Sequence, residues 1–94
     1  MEVAPYYAWG NLNMQARKQM VRYKNLGGTS GIVAYETGET FIRIQFFDES
    51  VYNYTYASAG FYNIEYMKQL AYQGRGLNSF INKVVRKLYC RKEQ

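Results

Sequence analysis

The stretch Ser50-Val51-Tyr52-Asn53-Tyr54-Thr55-Tyr56 constrains what this chain can fold into more than any other. Side chains of a β-strand alternate between faces, so tyrosines at every second position stand together on one face. Each joins a large apolar ring to a polar tip, which suits a buried layer and a ligand platform alike. Aromatic residues make up 18% of the 94-residue chain, enough to extend that layer well beyond one strand. Two expectations follow and stay open: the rings stack on bases beside phosphate-binding Lys and Arg, or they pack beneath a helix.

The flanking sequence confines the architecture to one small α+β domain. Two β-rich runs precede the tyrosines: residues 31–36, ending in the turn signal Thr37-Gly38, and residues 40–47. In the second, Ile42, Ile44 and Phe46 alternate with Arg43 and Gln45. The short connections predict an antiparallel three-stranded meander whose third strand is residues 51–56. A two-residue turn at Asp48-Glu49 sets Tyr52 and Tyr54 beside Arg43 and Gln45. A three-residue loop with a bulge sets them beside Ile42 and Ile44, because a one-residue slip exchanges the faces.

Helices are expected on both sides of the meander. Leu12, Ala16, Met20 and Tyr23 predict a helix over residues 11–25, started by Asn11 or Asn13 and ended by Gly27-Gly28. Tyr62, Tyr66 and Leu70 predict another over residues 61–73, which Gly74-Arg75-Gly76 breaks. Leu77, Phe80, Ile81, Val84 and Leu88 predict a last helix, capped by Asn78 and running to about residue 91. An arm with Pro5, Tyr6, Tyr7 and Trp9 precedes everything. Residues 1–30 therefore read as an N-terminal arm and helical extension, and residues 31–94 as the main domain.

Composition narrows the chemistry. With no histidine, the commonest general base and metal ligand is absent, and one cysteine excludes a thiolate cluster. No catalytic residue, metal or cofactor is expected. The lone Cys90 fits a reducing cytoplasm, and no apolar run approaches the roughly 18 residues of a membrane span. The net charge of +5 divides into +3 over residues 1–29, −3 over residues 30–59 and +5 over residues 60–94. Two basic ends around an acidic middle favour a polyanionic partner, although a solvated charged face gives the same count.

The order of these features resembles the KTSC domain, a short module of bacteria and phages that also ends some lysyl-tRNA synthetases. The residues carrying the resemblance are the strand Phe41-Ile42-Arg43-Ile44-Gln45-Phe46, the tyrosines Tyr52-Asn53-Tyr54, the step Gly74-Arg75-Gly76-Leu77-Asn78, then Ile81 and Tyr89. It spans roughly residues 31–89. Glu49 stands where the family has a turn glycine, the Val-Pro step after the tyrosine strand is missing, and Gly76-Leu77 replaces an aromatic pair. The resemblance implies RNA binding.

The candidate binding residues form two groups. Tyr52 and Tyr54 are candidates for base stacking. Arg75, Gly76 and Asn78 make a phosphate cradle where a glycine-flanked loop enters a helix, extended by Lys83, Arg86 and Lys87. Each group has a purely structural alternative: a core layer, a helix break closed by an asparagine cap, and a solvated helix face. The expected partner is RNA or another single-stranded nucleic acid. The alternatives are a phage-type protein sequestering a nucleotide or cyclic dinucleotide immune signal, and a homo-oligomer joined through the aromatic arm.

Overall fold

The computed structural model describes residues 20–93. Strands β1 (Val21–Arg22), β2 (Ile32–Thr37), β3 (Phe41–Phe46), β4 (Val51–Thr55) and β5 (Arg91–Glu93) form one antiparallel sheet in that order. Between β4 and β5 come α1 (Tyr56–Ala59), α2 (Phe61–Gln73), α3 (Leu77–Phe80) and a π-helical turn, Ile81–Val85. The class is α+β, and the meander of β2 to β4 is the one expected.

The turn between β3 and β4 settles the register. Phe46 N–H donates to the Ser50 carbonyl, Glu49 N–H donates to the Phe46 carbonyl, and Glu49 takes a positive φ of 74°. This is a three-residue loop closed by a left-handed bulge residue. Ile42 therefore faces Tyr54 and Ile44 faces Tyr52 across the strands. Asp48 braces the loop by accepting hydrogen bonds from Ser50, 2.9 Å from its N–H and 2.6 Å from its hydroxyl.

The core lies between that sheet face and the helices. Ile32, Tyr35, Ile42, Ile44 and Tyr54 meet Ile64, Met67 and Ala71 of α2, with Leu77, Ile81 and Val85 closing one end. The buried stripe of α2 is thus not Tyr62, Tyr66 and Leu70: Tyr62 is 84% exposed and Tyr66 half-exposed, and only Leu70 turns inward. Two stripes coexist on α2, and the aliphatic one wins the sheet because it carries no hydroxyls to desolvate.

Both chain ends of the described region depart from expectation. Where the helix over residues 11–25 enters it, Val21–Arg22 instead pairs with β2, and Tyr23 is buried; residues 11–19 lie outside the described residues. The last helix stops early. Its N-cap is Gly76, in the left-handed conformation, rather than Asn78, and the π turn ends it at Arg86 through an Arg86 N–H to Ile81 carbonyl bond of 2.6 Å. The wider turn shifts the apolar phase by one residue. Val85 is buried, while Val84 and Leu88 are exposed. The chain then returns as β5, pairing Lys92 with Tyr52 and Arg91 with Asn53.

A candidate nucleic-acid cleft

β4 places Tyr52 and Tyr54 side by side, and the end of the π turn brings Arg86 and Lys87 over them. Together with Phe46, Phe47 and Tyr89 these residues line a cleft of about 370 Å³. Four of the candidate binding residues thus converge from segments 30 residues apart in sequence.

The two tyrosines are not equivalent. Tyr54 is 1% exposed and its hydroxyl donates to the Arg86 carbonyl at 3.1 Å. Burial pushes its hydroxyl pKa up to about 12. Its ring is part of the core, and its bond pins the chain just after the π turn. Tyr52 is half-buried. Phe46 and Tyr89 meet its ring edge-on, with centroids at 5.6 and 4.9 Å. The ammonium of Lys92 lies 5.5 Å from the Tyr52 ring centre, a cation–π contact. The stacking surface offered to a ligand is therefore an aromatic cluster of Tyr52, Phe46, Phe47 and Tyr89 rather than a tyrosine pair. Phe47 is 77% exposed at its rim.

The electrostatics favour an anion. Among the described residues, Arg86 and Lys87 make no side-chain hydrogen bond or ion pair, so their charge faces solvent and cleft. Asp48 lines the same cleft, and hydrogen bonds from the Ser50 hydroxyl and N–H hold its carboxyl below the usual range. Its charge is directed at Ser50. Elsewhere acids are neutralised locally: Arg43 binds Glu36 at 2.5 Å and Glu93 at 2.9 Å on the sheet face away from the helices, and Lys68 binds Glu65 at 2.9 Å. Of the acidic middle of the sequence, Glu36 is paired with Arg43 and Asp48 is held by Ser50, while Arg86 and Lys87 remain available.

Arg75, Gly76 and Asn78 fall in a second cleft of about 310 Å³, built with Thr29, Ser79 and the loop before β2. Asn25 shapes that loop by accepting the Ser30 N–H at 3.1 Å. Lys83 is exposed and lines neither cleft. Asn82 lines both.

Sequence reasoning missed Phe46, Phe47, Asn82 and Tyr89 as cleft residues, and Lys92 as the cation over the Tyr52 ring. The signal for Lys92 was the alternation Arg91-Lys92-Glu93, a short strand pattern concealed at the end of a helical one. Among the described residues no cluster of three or more metal-ligating side chains comes together. The arm of Tyr6, Tyr7 and Trp9 lies outside them. No family model, curated protein or solved structure matches this chain. The likeness to the KTSC domain rests on the ordered motifs alone.

Proposed function

We propose that this protein is a non-enzymatic, cytoplasmic, KTSC-like module that binds single-stranded RNA. The observation that carries this reading is the convergence of Arg86 and Lys87 with the aromatic cluster around Tyr52 in one cleft. A base finds faces and edges of rings there, at roughly 1–3 kcal/mol per stacked base, and its phosphate finds two unpaired cations. Lys92, over the Tyr52 ring, and Arg75, in the adjoining cleft, add to the positive field.

Fluorescence polarisation of a labelled single-stranded RNA tests the proposal. About five phosphate contacts give a logarithmic salt slope near −3.5, so affinity falls roughly a hundredfold between about 50 and 200 mM salt. Replacing Arg86 and Lys87 together by alanine removes two contacts and flattens the slope by about 1.4. Absence of binding at the lower salt, or binding indifferent to Arg86 and Lys87, defeats the proposal.

A further inference from the structure

The two clefts differ in chemistry and share a wall. The first is aromatic and cationic. The second has no exposed ring, since Tyr23 is buried with its hydroxyl accepting the Leu77 N–H at 3.4 Å. It offers the side chains of Thr29, Asn78, Ser79 and Asn82 beside the guanidinium of Arg75. Among the described residues Arg75, Asn78, Ser79 and Asn82 make no side-chain hydrogen bond or ion pair. Hydroxyl and amide groups around a single cation match a sugar and its phosphate, with nothing on which a base could stack. Each cleft is near the roughly 300 Å³ lower limit of small-molecule sites, so each holds a unit no larger than a nucleotide. Asn82 projects from the π turn into the boundary between them.

From this juxtaposition we infer that the second cleft is a ribose-phosphate subsite, which accepts the nucleotide adjoining the one stacked in the first cleft. Asn78 and Asn82 read its 2′-hydroxyl, and Arg75 holds its phosphate. The 2′-hydroxyl, donor and acceptor at once, is the group by which a protein distinguishes RNA from DNA. The protein therefore selects ribose strands over deoxyribose strands of the same bases. This inference rests on the single-strand-binding reading above.

The test is competition polarisation with octauridylate and octadeoxyuridylate, which differ only at the 2′ position. The wild-type protein binds the ribose strand about tenfold more tightly, the worth of one or two hydrogen bonds. The double variant Asn78→Ala with Asn82→Ala loses that preference, weakening the ribose strand by about tenfold more than the deoxy strand. Arg75→Ala weakens both strands. A preference that survives the double variant overturns the subsite. So does equal binding of both strands that still depends on Arg86 and Lys87, which leaves the single-strand reading standing. Failure to bind either strand removes both readings.

Discussion

Tyr52 and Tyr54 share a strand face yet do different work, because a sheet face meets different neighbours along its length. Tyr54 lies where the π turn closes, and its hydroxyl holds the Arg86 carbonyl. Tyr54→Phe leaves that carbonyl without its partner and costs about 1 kcal/mol in chemical denaturation. On the proposed function it also weakens RNA binding by releasing Arg86, whereas Tyr52→Phe keeps both stability and binding. The pH dependence has a definite sign. The Tyr54 pKa is raised from 10.0 to about 12 in the fold, so its neutral form is favoured there. Its contribution is complete below about pH 10 and is lost as pH rises through about 12, which ultraviolet titration of tyrosinate detects. At the neighbouring turn, Glu49 holds a left-handed conformation at φ 74° that suits glycine. Glu49→Gly raises stability by about 1 kcal/mol in the same denaturation assay.

Elements are joined at points where one residue serves two of them. Gly74 ends α2 at φ 83°, its carbonyl accepts the Leu26 N–H at 2.7 Å, and a Cβ there would stand 2.7 Å from the Cβ of Lys24. Gly74→Ala therefore strains the backbone and pushes apart α2 and the segment after β1, costing about 2 kcal/mol by thermal or chemical unfolding. β5 is tied to β4 and β3 by Glu93, which accepts from Asn53 at 2.6 Å and from Arg43 at 2.9 Å. The Asn53 hydrogen bond, helped by Arg43, holds the Glu93 carboxyl below its ordinary value of 4.5. A depressed pKa stabilises above the unfolded value, so stability falls as pH drops below about 4.5, and Glu93→Gln flattens that part of the profile. α2 itself was legible as a helix in the sequence, down to its glycine stop. Its buried face was not, because Tyr62 and Tyr66 mark as regular a helical stripe as Ile64, Met67 and Ala71, and only the approaching sheet chooses between them.

At the scale of the whole molecule, the fold sorts charge that the chain mixes. Four of the acids, Glu36, Glu65, Glu93 and Asp48, are engaged by Arg43, Lys68 or Ser50, and the cations that line the clefts, Arg75, Arg86 and Lys87, make no side-chain hydrogen bond or ion pair among the described residues. On the proposed RNA-binding reading, affinity for RNA follows ionic strength far more steeply than stability does, since the Arg43 ion pairs are partly shielded within the sheet. No helix among the described residues is long and apolar enough to cross a membrane. What the sequence by itself determined are the local decisions: the alternation of β2, β3 and β4, the helix α2, and the glycine breaks at residues 74 and 76. These follow from side-chain periodicity and backbone freedom within a few residues. Tertiary structure alone decided the bulged register at Glu49, the use of residues 21–22 and 91–93 as edge strands, and the π turn that delivers Arg86 to Tyr54. The register is decided by which face of the tyrosine strand is buried beneath α2. The edge strands and the Tyr54–Arg86 bond depend on residues far apart in the chain, and two-residue or three-residue strands have no local preference strong enough to announce them.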